Sequence, residues 1–161
     1  MIILGIDPGY AITGYGVVET SDKTHKLATV DYGAVTTLAG TYFPTRLKEI
    51  YDDISFILDK HKPDAMSIER LFFTNNQKTG IDTAEARGII LLAAVKRNVP
   101  IYEYTPLQVK SAVTGYGKAV KKQVQEMTRS LLGLKEIPKP DDTADALAIA
   151  ICCAHSIRSR Q

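Results

Sequence analysis

Cysteine is scarce in this sequence: the only two are the neighbours Cys152 and Cys153, which lie in an apolar stretch. No third cysteine is available to pair with either of them, which excludes the disulfide framework of a small secreted protein. The chain has 161 residues, of which 45% are hydrophobic and 24% charged. A chain of this size and composition forms one core without disulfides or a structural metal. We therefore predict a single domain over residues 1–161, with both cysteines inside it.

Long hydrophobic runs are also absent. A run such as Ile89 to Val95 is far shorter than the roughly 20 residues of a transmembrane helix. The segment from Met1 to Asp7 lacks the basic residues that begin a signal peptide. These absences predict a soluble protein that works in the cytoplasm.

The net charge is small, at +2, and does not by itself indicate a nucleic-acid partner. Its distribution is uneven, because the stretch from Leu107 to Lys135 has six basic residues and one acid, Glu126. Such a stretch is either a solvated helix face or a docking surface for a polyanion. The basic residues are Lys110, Lys118, Lys121, Lys122, Arg129 and Lys135.

Short apolar runs alternate with segments of helical periodicity along the chain, which predicts an α/β fold with a five-stranded mixed sheet flanked by helices. The first three strands are expected to form an antiparallel meander, and later strands to lie parallel through helical crossovers. The predicted strands are 2–7, 13–19, 27–36, 65–69 and 100–104, and the predicted helices are 44–60, 82–97, 106–113, 120–132 and 142–157.

Acidic residues stand at the ends of these predicted elements. Asp7 ends the first strand, Glu69 ends the fourth, and Asp142 and Asp145 begin the last helix. Taken singly, each has a structural explanation as a turn, surface or helix-capping residue, and Asp141 is a further candidate for the helix cap. If the first and fourth strands are neighbours, however, Asp7 and Glu69 meet at one edge of the sheet.

A cluster of carboxylates is electrostatically costly unless a cation lies among them. Oxygen ligands alone favour Mg²⁺ or Mn²⁺ over zinc. Two such ions about 4 Å apart are suited to phosphodiester hydrolysis. Cys152 and His155 lie one turn apart, but two ligands are too few for a structural metal site. The acids therefore predict a magnesium-dependent nuclease acting on nucleic acid.

Several motifs then occur in a characteristic order: Gly5-Ile-Asp-Pro-Gly9, Thr13-Gly-Tyr-Gly16, Ile68-Glu69 with Phe72-Phe73, Ala86-Arg-Gly88, Gln108-Val-Lys110, and Asp142-Thr-Ala-Asp-Ala-Leu-Ala148. In this order and spacing, over nearly the whole chain, the sequence closely resembles the RuvC family of bacterial Holliday junction resolvases. The resemblance implies an RNase H-like fold, a homodimer, and paired, magnesium-dependent nicking of four-way DNA junctions. It also implies branch-migration partners of the RuvA and RuvB type.

By the same resemblance, Asp7, Glu69, Asp142 and Asp145 are the metal-binding catalytic acids. Phe72 matches an aromatic residue that contacts bases near the junction point, where unpaired bases stack on aromatic rings; Phe73 is either a second contact or a core residue. Lys110 and Lys121 match lysines near the scissile phosphate. The remaining candidates for DNA contact are Asn76, Arg87, Lys118 and Lys122. Between Thr74 and Glu85 the sequence departs from the family's pattern, although it keeps Asn76.

Two other functions fit parts of the sequence. A glycine hairpin after Asp7 is also found in actin-like ATPases and sugar kinases, but those proteins have two lobes and this chain offers only one such hairpin. Alternatively, the protein binds junctions without cutting them, and the acids are turn and cap residues. Paired cleavage requires two sites, so a two-fold dimer is expected, with the apolar helix from Thr83 to Lys96 as its interface or simply as part of the core.

Overall fold

The computed structural model of this chain describes residues 1–21, 26–71 and 77–158. Strands and helices follow one another much as the sequence predicts. The strands are β1 (Ile2–Asp7), β2 (Ile12–Thr20), β3 (Leu27–Thr36), β4 (Ala65–Glu69) and β5 (Ile101–Tyr104). The helices are α1 (Phe43–His61), α2 (Gln77–Val95), α3 (Pro106–Thr114), α4 (Lys121–Leu131) and α5 (Asp141–Arg158).

The strands form one mixed sheet in the order β3-β2-β1-β4-β5. β1 pairs antiparallel with β2, and β2 pairs antiparallel with β3. β4 lies parallel to both β1 and β5. The five-stranded mixed sheet, the opening meander and the pairing of the first strand with the fourth are therefore confirmed.

Helices cover both faces of the sheet. Side chains alternate between the faces of a strand, so Ile3 packs with α3, α4 and α5, whereas Leu4 packs with α1 and α2. Both residues are fully buried. Burial on both faces explains why β1 is an almost unbroken apolar run. Cys152 and Cys153 lie on α5 and are buried in the core, as the sequence predicts.

Helix α5, which packs on the face of the sheet that contains Ile3, lies very close to the strands. A Cβ atom at Gly5 would collide with the carbonyl oxygen of Ala146, and one at Gly14 would collide with that of Asp142. A Cβ at Gly16 would lie 2.6 Å from the side chain of Leu147. The glycines of β1 and β2 therefore let the backbone of α5 rest directly on the strands.

The bounds of α2 differ from those predicted by more than one residue, whereas all other element bounds lie within one residue of the prediction. α2 begins at Gln77 instead of residue 82, because its first turn is polar and lacks an apolar period. It ends at Val95 because the chain then tightens into i→i+3 hydrogen bonds and Asn98 takes a φ of 55°. Asp141 is the first residue of α5, not its cap. The carbonyl of Pro140 accepts the amide of Thr143, and the carboxylate of Asp141 accepts a hydrogen bond from Lys139.

None of the helices within the described residues is long and apolar enough to span a membrane.

Gly5→Ala is expected to destabilise the protein by about 1–3 kcal/mol, because the added methyl group forces α5 away from β1. Gly88→Ala is the matched control: its Cβ meets nothing within 4 Å, and alanine favours a helix by about 0.5–1 kcal/mol over glycine. Denaturant unfolding of both variants at one protein concentration measures the difference. Equal stability of Gly5→Ala and the wild type would contradict the close packing of α5.

Candidate active site

The first two acids meet at one edge of the sheet. β1 and β4 run parallel, and the last paired residues of their ladder are Ile6 and Ile68. The next residue of each strand is Asp7 and Glu69, respectively. Both are therefore carried to the same carboxyl edge, as the sequence predicts.

The other two acids come from the first turns of α5. Gly14 pairs with Asp7 across the β1–β2 ladder, and the backbone of Asp142 rests on Gly14. Asp145 follows one turn later and lies on the same side of the helix. The hydroxyl of Thr143 donates a hydrogen bond of 3.1 Å to the carbonyl of Gly33, which ties this end of α5 to β3. The contact of α5 with the sheet thus brings all four predicted acids to one site.

The acids repel one another strongly. Burial, reinforced by the negative charges of Glu69, Asp145 and Asp142, raises the pKa of Asp7 from 3.8 to about 8. The pKa of Glu69 is raised by burial and by Asp145. Burial also raises the pKa of Asp145, against the opposing effect of Lys121. Such a concentration of carboxylates favours binding of a cation.

Lys121 places a positive charge among these acids. Its Nζ lies 2.9 Å from Asp145 and 3.6 Å from Asp141. Partial burial lowers its pKa, but the hydrogen bond to Asp145 and the surrounding carboxylates outweigh this effect and raise it. The side chain of Gln123 caps the start of α4 by accepting the amide of Val120 at 3.0 Å, so Lys121 stands in the first turn of a well-formed helix.

A cleft of about 230 Å³ opens beside these residues. Acids and lysines line its polar side, and α3, α4 and α5 supply an apolar floor. Its lining residues are Glu69, Pro106, Val109, Lys110, Lys121, Val124, Asp145, Ala148 and Ile149. Lys110 belongs to α3, which begins with a reciprocal cap between Thr105 and Gln108. Its positive charge counteracts the rise in the pKa of Glu69.

The four carboxylates fit a hard divalent cation by their chemistry, since every donor is oxygen and the cluster carries excess negative charge. In the part of the chain that the structure describes, no three acidic, histidine or cysteine side chains are arranged so that one ion contacts them all. The backbone brings the four acids to one edge of the sheet, but their side chains are not arranged there as a ready-made metal site.

Side chains beyond the acids hold the loop that follows Asp7. The hydroxyl of Thr13 donates to the carbonyl of Gly9 at 2.5 Å. The guanidinium of Arg46, which is 8% exposed, donates to the hydroxyl of Thr37 at 2.8 Å. It also lies over the ring of Tyr10, 4.8 Å from its centre. A buried cation with these neutral partners fixes the loop.

The predicted DNA contacts lie in different surroundings. Lys110 lines the cleft, and Lys118 and Lys122 are exposed. Arg87 instead donates to the backbone carbonyl of Glu69 at 3.1 Å and to the carboxylate of Glu103. Three further candidates, Phe72, Phe73 and Asn76, lie outside the described residues.

Sequence reasoning did not identify Glu103, Arg46 or the role of Asp141 beside Lys121. Each acts through a partner far away in the sequence. One local signal could have indicated Glu103: it is an acid in the middle of a short apolar strand, Ile101-Tyr-Glu-Tyr104. No comparable signal marks Arg46.

Comparison with known proteins finds relatives over nearly the whole chain. The family model for crossover junction endodeoxyribonuclease RuvC matches residues 3–153. The crossover junction endodeoxyribonuclease RuvC of Desulfitobacterium hafniense is 55% identical over 157 residues, covering 98% of this chain and 94% of the relative.

Solved structures agree with the sequence comparison. The RuvC structure from Thermus thermophilus superposes with a TM-score of 0.92 at 37% identity, covering 99% of this chain and 97% of that one. The RuvC structure from the same organism in complex with a Holliday junction substrate gives a TM-score of 0.90 at 34% identity, covering 99% and 96%.

We expect Asp7→Asn to stabilise the protein when divalent ions are removed by a chelator. The pKa of Asp7 is about 8 in the folded chain and 3.8 as the ordinary value, so folding takes up a proton between these pH values. The contribution of Asp7 to the free energy of unfolding is then lost as the pH rises toward 8. The free energy of unfolding of the variant should exceed that of the wild type by about 1–3 kcal/mol at pH 8, and by less at pH 5.

Denaturant unfolding at both pH values tests this expectation. Asp53→Asn, which alters an exposed acid on α1, is the control and should leave the free energy of unfolding nearly unchanged. A variant of Asp7 less stable than the wild type at pH 8 would show that the cluster does not strain the metal-free fold.

Proposed function

This chain belongs to the RuvC family of crossover junction endodeoxyribonucleases, and we propose that it resolves Holliday junctions by paired, symmetric nicks during DNA recombination and repair. The observation that carries this proposal is the convergence of four acids from β1, β4 and α5 at one edge of an RNase H-like fold. Burial, reinforced by the charges of the other three acids, raises the pKa of Asp7 to about 8. A carboxyl group with a pKa raised this far is typical of a site that binds a cation, and is not typical of turn or cap residues.

Asp7, Glu69, Asp142 and Asp145 are the residues that would hold the metal. The family is metal-dependent, and we propose Mg²⁺ as the ion, with Mn²⁺ as a substitute and two ions in each site. When bound, such ions bring water and the scissile phosphate together and offset the charge that develops on the phosphate. The carboxylates would hold them on the edge of the sheet, where a DNA strand could reach them.

Lys121 and Lys110 face this position from α4 and α3. The Nζ of Lys121, 2.9 Å from Asp145 and 3.6 Å from Asp141, stands where it could donate to a phosphate oxygen held beside the acids. Positive charge fixed at that point stabilises the phosphate as it is attacked. We propose Lys121 as a catalytic residue and Lys110 as a contact to the backbone of the cut strand.

Further DNA contacts follow from the sequence and stay predictions. We propose that Phe72 and Phe73 contact bases near the junction point, with Asn76 beside them. Lys118 and Lys122, both exposed, are proposed contacts to the DNA backbone. The sequence also predicts a backbone contact from Arg87, but in the structure this side chain is engaged by the carbonyl of Glu69 and the carboxylate of Glu103.

Paired nicks need two sites, and we propose that two copies of the chain form a dimer through α2. This helix exposes Leu92 and Val95, which are 48% and 60% exposed. A two-fold arrangement matches the symmetry of a four-way junction.

We further propose that residues 1–161 act as one nuclease domain in the cytoplasm, and that branch-migration proteins of the RuvA and RuvB type present the junction to it.

Asp7→Asn should abolish cleavage of a four-way junction, by at least about a hundredfold, because loss of one metal-binding carboxylate removes most of the metal's contribution. Binding of the junction should be retained. The measurement uses a labelled mobile junction and a matched linear duplex, each with and without Mg²⁺.

Asp53→Asn is again the matched acid outside the site and should cut at the wild-type rate. Cleavage by Asp7→Asn at that rate would remove Asp7 from the mechanism. Tight binding by the wild type without nicks at any concentration of Mg²⁺ or Mn²⁺ would favour the non-catalytic junction-binding protein instead.

Leu92→Arg should convert the dimer to a monomer, because a charge in the middle of an apolar interface is costly to bury. Sedimentation at micromolar concentration measures this change, and junctions cut by the variant should carry unpaired nicks. Leu38→Arg, at a residue 77% exposed outside α2, is the control. A wild-type protein that sediments as a monomer at the same concentration would contradict the dimer.

A further inference from the structure

Arg87 connects three elements behind the active-site edge. It lies on α2, its Nε donates to the carbonyl of Glu69 at the end of β4, and its Nη2 donates to the carboxylate of Glu103 on β5. The Arg87 side chain is 15% exposed, whereas that of Glu103 is 41% exposed. The ion pair is therefore sheltered on the arginine side.

The carbonyl that Arg87 holds belongs to the last residue of β4. Glu69 pairs with Tyr104 on β5, and the next amide, that of Arg70, donates to the carbonyl of Tyr104 at 2.8 Å. Beyond this point the chain leaves the sheet. Arg87 thus adds a side-chain contact to the peptide unit that carries the Glu69 carboxylate, at the place where the sheet stops restraining it.

The same contacts leave Arg87 little freedom to reach a DNA backbone. A guanidinium binds a phosphate best through two parallel N–H groups, and two nitrogens of Arg87 are already used within the protein. Moving them to a phosphate would leave Glu103 without its partner and the Glu69 carbonyl without its donor.

We propose that Arg87, with Glu103 as its counterion, is a positioning residue that holds the backbone at Glu69 so that the carboxylate meets the metal site. This inference rests on the proposed function, since it assigns Glu69 to that site. The side chain of Arg87 also connects α2, the proposed dimer helix, with an active-site acid.

The test compares Arg87→Met, Glu103→Gln and Arg87→Lys with the wild type. Calorimetry with Mn²⁺ and no DNA should show affinity at least about fivefold weaker for Arg87→Met, and weaker to a smaller degree for Glu103→Gln. Arg87→Lys keeps the charge but not the fork of donors, so it should recover part of the loss. The Mg²⁺ concentration for half-maximal junction cleavage should rise in the same order.

Junction affinity measured in a chelator should stay within about twofold of the wild type for all three variants, with an unchanged dependence on salt. Arg97→Met is the matched control, because Arg97 also forms a two-point ion pair, with Asp59 at 2.7 and 2.8 Å, away from the site. It should leave the affinity for Mn²⁺ unchanged. Glu103→Gln retains Arg87 and keeps the test decisive if Arg87→Met fails to fold.

Two outcomes would overturn the inference. Unchanged Mn²⁺ affinity together with weaker junction binding, and a salt dependence reduced by about one phosphate contact, would make Arg87 a DNA-binding residue. A lower melting temperature with unchanged Mn²⁺ affinity would make its role purely structural. If the wild type cuts no junction while the Mn²⁺ affinities still shift as expected, the proposed function falls and the positioning role stands.

Discussion

The close contact between α5 and the sheet is the constraint on which the site depends. Gly5 and Gly14 have no Cβ, so the backbone of α5 rests on β1 and β2. That contact sets the height of the helix above the strands and carries Asp142 and Asp145 to the edge where Asp7 and Glu69 already lie. A larger residue at either glycine would separate the two halves of the cluster.

The cluster that results is unfavourable by itself. Burial and mutual repulsion raise the pKa of Asp7, Glu69 and Asp145, and Lys121 compensates only in part through its pair with Asp145. The rest of the fold supports this arrangement: Thr13 and Arg46 hold the loop after Asp7, and Arg87 holds the end of β4. Part of the stability of the fold is thus given up at the site that we propose to bind a cation.

Most of the elements could be predicted because their signals are local. β1 and β4 are buried on both faces and read as apolar runs that each end on an acid, and α1 has a clear helical period. The start of α2 was predicted too late because its first turn has no such period. Asp141 was expected to cap α5, but in the structure it begins the helix and lies 3.6 Å from Lys121.

The sequence alone determined the order of elements, the four acids and the family, because each depends on residue type and spacing along the chain. Only the tertiary structure decided which groups meet. The pairing of Lys121 with Asp145, the contact of Arg46 with Tyr10, and the engagement of Arg87 by Glu69 and Glu103 all join separate elements. Such contacts depend on strand order and on how closely helices approach the sheet, and no local pattern encodes either distance.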